Sequence, residues 1–171
     1  MDLEVQQRVI RVLCDPGILL RRRRLVDPAA HCDLRIAADN AHFGLPVARL
    51  GFLITYPQMQ RFVQMFGAAV VSDLLLTARL FDAPQALAAG LCSQVHPLAT
   101  IDAAVLHLAQ TMTRLSPLTQ RLHKAMLQTV LHKPDLGQLT DEERAVVDAM
   151  FDSADYAEGV RAFVEKRSPR F

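Results

Sequence analysis

Cys32-Asp33-Leu34-Arg35-Ile36-Ala37-Ala38-Asp39-Asn40-Ala41-His42-Phe43-Gly44-Leu45-Pro46 is the stretch on which the fold turns. Leu34 and Ile36 alternate with Asp33, Arg35 and small Ala37, the two-residue period of a short strand. Asp39-Asn40 is turn chemistry, and Phe43-Gly44-Leu45-Pro46 reads as a second short strand leaving that tight loop. Ser93-Gln94-Val95-His96 supplies a candidate third strand. Between them, residues 59–76 are rich in Met, Phe, Val and Leu, and Gly67 divides the run into two helices.

From Asp82 onward each apolar 3.6-residue pattern is preceded by a side chain able to accept from the unpaired amides of a helix start. Asp82-Ala83-Pro84-Gln85 places a cap, an early proline and a Gln three residues on, and Gly90 stops the helix in a left-handed turn. Thr100 opens a segment with Ile101, Val105, Leu108, Ala109, Met112 and Leu115 on one face. Ser116-Pro117 opens another with Leu118, Leu122, Ala125, Met126 and Thr129. Thr140-Asp141-Glu142-Glu143 has the form of a capping box, and Asp152-Ser153 precedes a last helix carrying Tyr156, Val160, Phe163 and Val164, the pattern of a core-facing helix. The expected class is α/β, weighted to helix, with four helices after Thr100.

Residues 1–31 carry a different pattern. Glu4 to Leu13 predicts a helix, which Asp15-Pro16-Gly17 ends, and Arg21 to Arg24 then stand between Leu19-Leu20 and Leu25-Val26 with no periodicity to fold them. The organisation expected is therefore an atypical segment 1–31, an α/β portion 32–98 and a helical region 99–171.

The composition closes off several classes of function. With 171 residues, 51% in the apolar set and 22% charged, the chain can bury a sizeable core, which excludes intrinsic disorder. A formal net charge of +1 gives no global field for polyanions or anionic lipid. No apolar run reaches the roughly 18 residues of a membrane span, and the first residues carry no secretion signal, so a cytoplasmic protein is expected. Cys14, Cys32 and Cys92 are odd in number and lack a Cys-x-x-Cys pair, the pattern of reduced, buried thiols.

Three ordered blocks carry a resemblance: the stretch from Cys32 to Pro46, the stretch Leu74-Leu-Leu-Thr-Ala-Arg-Leu-Phe-Asp-Ala-Pro-Gln-Ala-Leu-Ala-Ala-Gly-Leu91, and the end Ala162-Phe-Val-Glu-Lys-Arg-Ser-Pro-Arg-Phe171. Together they resemble the crotonase superfamily (the enoyl-CoA hydratase/isomerase family) over about residues 29–171, the C-terminal portion of a usual member. The resemblance implies a partial crotonase-like (ClpP/crotonase) spiral core followed by a helical region for oligomerisation, as a trimer or hexamer. It also implies an acyl-CoA substrate, with coenzyme A entering as part of that substrate and no permanently bound cofactor.

In such proteins two backbone amides stabilise the enolate-like charge of the thioester while carboxylates move protons. The resemblance places the first amide upstream of the matched stretch. The second falls in a glycine-rich turn where this chain has Arg22, Arg23 and Arg24, so Arg24 marks the oxyanion-loop position. Asp27, five residues before Cys32, matches an acidic catalytic position. A second carboxylate follows Phe-Gly-x-Pro, and there this chain has Val47, which cannot transfer a proton. The glycine-rich helix start after the Leu-Gly pair is replaced as well, since Gly51 is followed by Phe52-Leu-Ile-Thr-Tyr-Pro-Gln-Met59. Phe163 and Lys166 match positions that contact the adenine and phosphate end of coenzyme A; a ring can stack on adenine and an ammonium can neutralise phosphate. Two functions remain open on these residues: acyl-CoA chemistry with impaired catalysis, or a non-catalytic oligomerisation and binding module.

Other constellations weigh less. An arginine run suits phosphate, but a near-neutral chain with two Tyr, no Trp and no nucleic-acid motif reads as no nucleic-acid binder. No two of the six histidines stand three or four apart, which argues against a metal pair. His31 and Cys32, read as adjacent strand residues, would face opposite ways. Asp27 before Pro28 also suits a plain turn or helix cap.

Overall fold

The computed structural model describes residues 9–12, 29–133 and 135–171, which cluster into two compact units, 1–107 and 108–171. In the first unit, strand β2 (Leu34–Ala38) is the centre of a three-stranded parallel sheet in the order β1-β2-β5, with β1 at Val9–Val12 and β5 at Gln94–His96. Val9 pairs with Leu34 and Val12 with Ala37, while Ile36 pairs with Gln94 and Ala38 with His96. The Asp33–Ala37 alternation predicts a short strand, and Ile36, Ala37 and Ala38 are all fully buried, as suits a central parallel strand covered on both sides.

The expected helix from Glu4 to Leu13 is overturned across Val9–Val12, which is strand. Pairing with β2 supplies a partner that local propensity cannot reveal, so tertiary context overrides the helical reading. Cys14, Asp15-Pro16-Gly17, Arg21 to Arg24 and Asp27 lie outside the described residues.

After β2 the chain turns at Asp39-Asn40 into β3 (His42–Phe43), which pairs antiparallel with β4 (Phe81–Asp82), His42 opposite Asp82 and Phe43 opposite Phe81. Gly44 makes this crossing possible: a Cβ there would strike the Leu80 side chain and stand 3.2 Å from the Arg79 carbonyl oxygen. Between β3 and β4 lie α1 (Val47–Leu50), α2 (Tyr56–Phe66) and α3 (Ala68–Thr77), with Gly67 at φ 80° between the last two. α4 (Ala83–Ala88) then leads to β5. Its Asp82 carboxylate accepts from the Gln85 backbone amide at 2.9 Å and Gln85 Oε1 accepts from the Asp82 backbone amide at 3.1 Å, the capping box the sequence predicts.

The core of this unit gathers Phe43, Phe62, Phe66, Val71, Leu74, Phe81 and Leu91 with small residues such as Ala37 of β2 and Ala86 of α4. Arg35 reaches into it from β2. Its Nε donates to the Leu91 carbonyl at 2.9 Å, its Nη1 donates to the Cys32 carbonyl at 2.8 Å, and the guanidinium lies 5.1 Å from the centre of the Phe66 ring. Burial lowers its pKa from the ordinary arginine value. Arg35 thus stitches the turn before β2 to the turn before β5 while its charge rests on an aromatic face.

The second unit begins within α5 (Ile101–Met112) and continues through α6 (Pro117–His132), a 3-10 turn at Leu136–Gln138, α7 (Asp141–Phe151) and α8 (Ala154–Val164). All four helices expected after Thr100 are present. Ser116, Thr140 and Ser153 each accept from the amide three residues on, as read from the sequence. Asp155 adds a tertiary cap: its Oδ2 accepts from the Ser116 hydroxyl at 2.5 Å and from the Leu118 amide at 3.2 Å, so the first turn of α8 satisfies the N-terminus of α6.

Candidate functional site: an apolar groove and an exposed helix end

Pro46 caps α1, which runs one turn and ends at Gly51 with φ 69°, a left-handed stop that glycine adopts without strain. The chain then passes through Phe52, Leu53 and Ile54 to Thr55. There the sequence reading finds only a lost glycine turn, yet a helix start is built by other means. The Gln58 side-chain oxygen accepts from the Thr55 amide at 3.0 Å, Thr55 Oγ1 accepts from the Gln58 amide, and Pro57 occupies the first turn.

This arrangement walls a groove of about 500 Å³, lined by Val47 and Ala48 of α1, Phe52, Leu53 and Ile54 of the loop, Tyr56 and Met59 of α2, and Leu75 and Leu76 of α3. The lining side chains are hydrocarbon apart from the Met59 sulfur and the Tyr56 hydroxyl. Val47, expected at the position of a lost carboxylate, is half-buried on the groove wall, so the wall offers no proton donor or acceptor there. The groove itself is a feature the sequence reading missed; its available signal was the apolar run Phe52-Leu53-Ile54 where a polar or glycine-rich loop would be ordinary.

Phe163 and Lys166 stand at the end of α8. Phe163 is 85% exposed, and Tyr156 and Val160 on the same helix are 42% and 45% exposed, so the core-facing reading of this helix does not hold; Ala162 is the residue it buries. Lys166 has φ 52°. Its amide donates to the Phe163 carbonyl at 3.2 Å and the Arg167 amide donates to the Ala162 carbonyl at 3.0 Å, a paired helix ending that normally employs glycine. A lysine in this left-handed position carries a backbone cost of about 1–2 kcal/mol.

The segment beyond is clamped by Glu158. Arg167 donates to both its oxygens, at 2.6 Å and 3.0 Å, and the Arg170 amide donates to Oε1 at 2.8 Å. These bonds, the Arg167 guanidinium first, hold the Glu158 carboxyl at a pKa of about 2. A carboxyl depressed in the folded state contributes stability that is complete above its unfolded value, about 4.3, and disappears as pH falls through its folded one. The Arg170 amide resonance is therefore expected to move with a midpoint near pH 2 in an NMR titration. A midpoint near 4.3 would show that the clamp does not form.

His31 and Cys32 precede β2 in a turn rather than lying on it, with His31 exposed and Cys32 buried, so the two side chains do separate, through a turn and not through strand alternation. Cys32 and Cys92 are both buried and form no disulfide, and burial raises the Cys92 thiol pKa. Among the described residues no group of three His, Cys, Asp or Glu side chains could hold a metal ion, and no helix is long and apolar enough to cross a membrane. Arg24 and Asp27 lie outside the described residues.

A parallel sheet flanked by an antiparallel pair and followed by a capped helical array defines an α/β protein of the crotonase-fold class. A solved enoyl-CoA hydratase/carnithine racemase from Magnetospirillum magneticum superposes with a TM-score of 0.79 at 31% identity, over 86% of this chain and 54% of that one. The family profile described as enoyl-CoA hydratase/isomerase matches residues 28–171, and the chain belongs to that family. The "2,3-dehydroadipyl-CoA hydratase" of Escherichia coli is 35% identical over 143 residues, which are 82% of this chain and 54% of that protein. A Mycobacterium bovis protein bearing the name "Probable enoyl-CoA hydratase echA8" is likewise 35% identical, across 84% of this chain and 55% of its own. The chain thus spans about half the length of the curated relatives it matches.

Proposed function

We propose that this chain binds acyl-CoA thioesters, with Phe163 and Lys166 contacting the coenzyme A end. The observation that carries the reading is the end of α8. A phenylalanine left 85% exposed, three residues before a lysine kept in a conformation that favours glycine, is poor design for stability and good design for contact. A ring can stack on adenine and an ammonium can pair with phosphate. Coenzyme A enters as part of the substrate, and no resident cofactor or metal takes part.

Catalysis is impaired in this reading. Val47 removes one proton-transfer group, and Arg24 in place of a glycine at the oxyanion loop leaves Asp27 as the remaining acid/base candidate. A second reading, a non-catalytic module, is favoured by Val47 specifically. In both readings the chain is cytoplasmic, serves fatty acid metabolism and assembles as a homo-oligomer, a trimer or hexamer. Exposed Phe151, Tyr156, Val160 and Val164 support assembly, since an apolar surface of this kind gains from burial against another copy.

Calorimetric titration with free coenzyme A tests the binding claim. Phe163→Ala and Lys166→Ala are each expected to weaken binding by about tenfold, within the roughly 1–3 kcal/mol of a base–aromatic contact or a charge-assisted one. Lys166→Gly separates function from folding: it should relieve the left-handed strain and raise the melting temperature while losing the same affinity. Unchanged affinity in all three variants removes the assignment.

A further inference from the structure

We propose that Arg61 is a positioning residue for the reaction: reaching from α2 to the Ala30 carbonyl, it fixes the turn 29–32 through which the chain passes from Asp27 into β2. The proposal rests on the acyl-thioester reading above, in which Asp27 is the remaining acid/base candidate, and adds to it the side chain that sets the backbone next to that carboxylate.

The described geometry of this stretch begins at Ala29, two residues after Asp27. Within the turn, the Cys32 amide donates to the Ala29 carbonyl at 3.2 Å. Ala29 and Ala30 are buried, but a methyl group anchors only by contact and sets no direction. Direction comes from two guanidiniums. Arg61 Nε donates to the Ala30 carbonyl at 2.9 Å, across 31 residues of chain, and Arg35 Nη1 donates to the Cys32 carbonyl at 2.8 Å. Arg35 thus ties the turn to the sheet, and Arg61 ties it to α2.

The choice of arginine at 61 is informative. Burial lowers the Arg35 pKa, and the nearby positive charge of Arg61 lowers it further, so bringing both cations to one turn has an electrostatic cost. Phe62 and Phe66 already supply the burial of α2, and packing alone would favour an apolar residue beside them. What Arg61 adds is a rigid, directional donor aimed at one carbonyl. The same helix carries Met59 on the groove wall. One rigid element therefore spaces the groove from the backbone that follows Asp27, and a misplacement of about 1 Å at a proton-transfer group can cost up to about 10²-fold in rate.

A double-mutant cycle on the full chain tests this, with crotonyl-CoA turnover as the readout and calorimetry with coenzyme A beside it. Arg61→Met should lower kcat by about tenfold or more while leaving KM and the coenzyme A affinity unchanged. Arg61→Lys, which keeps a cationic donor, should recover most of that loss. In an Asp27→Asn background, Arg61→Met should cost nothing further, because residues that act as one unit are not additive. A purely structural role would instead give the same loss in both backgrounds, and that result overturns the proposal while the thioester reading stands. An unchanged kcat in Arg61→Met or in Asp27→Asn overturns it too, as does a chain that binds coenzyme A and turns over no crotonyl-CoA. Should Arg61→Met fail to fold, Arg61→Gln takes its place in the cycle. If coenzyme A does not bind at all, the thioester reading itself falls.

Discussion

Phe62→Ala is expected to remove about 3–5 kcal/mol of unfolding free energy from the first unit, a large share of the 5–15 kcal/mol typical of a folded domain. The size follows from how little else holds α2. That helix buries only Phe62 and Phe66, four residues apart on one face, with ring centres 6.5 Å apart in a tilted contact. Phe62 is 1% exposed and belongs to the same cluster as Phe43, Leu74 and Phe81, so its removal leaves a void that neither the sheet nor α3 can close by a small shift. Val63, its neighbour, is 38% exposed, and Val63→Ala should change stability by about 0.5 kcal/mol or less. Urea unfolding followed by circular dichroism compares the two; equal midpoints would mean that Phe62 is not the anchor of α2. The effect reaches the groove as well, because α2 carries Met59 on its wall and Thr55 at its cap.

The sequence makes the parts of this fold that rest on local chemistry legible. Ser116, Thr140 and Asp82 each announce a helix because a side-chain oxygen beside an unpaired amide is a short-range event, decided within four residues. Strand β2 is legible for a similar reason, although its burial on both faces is not, since the covering elements arrive from elsewhere in the chain. Val9–Val12 shows the opposite case. Its four residues become strand through a register with Leu34 to Ala37 that lies some 25 residues away, and nothing in their own spacing favours strand over helix.

The site divides along the same line. Val47, Phe163 and Lys166 can be picked out by matching blocks of sequence, whereas the groove cannot: it is assembled from α1, a loop, α2 and α3, and its apolar character emerges only when Phe52, Met59 and Leu75 are brought together. The left-handed φ of Lys166 is equally invisible, because a lysine at a helix end looks like any surface lysine until the backbone is traced.

Crotonyl-CoA hydration by this chain is expected to run about 10²–10⁴-fold below that of a relative with a carboxylate at the Val47 position, the usual contribution of one general acid–base group. Val47 sits at the first residue of α1 with its side chain on the groove wall, where an isopropyl group can exclude water and steer a tail but can neither give nor accept a proton. Val47→Glu is expected to recover at least about tenfold of the deficit in turnover, and Val47→Gln, of the same shape without an ionisable group, to recover none. The gain should grow with pH, because a carboxyl introduced beside Ile54 and Leu75 loses hydration, its pKa rises, and its proton-accepting form accumulates only above that raised value. Stopped absorbance assays of enoyl loss across pH 5 to 9 would read both variants against the unmodified chain. Equal gains from Glu and Gln would show that shape, not proton transfer, limits the rate. A wild-type rate already equal to that of the carboxylate-bearing relative would place the proton-transfer group somewhere other than Val47 and end the case for impaired catalysis.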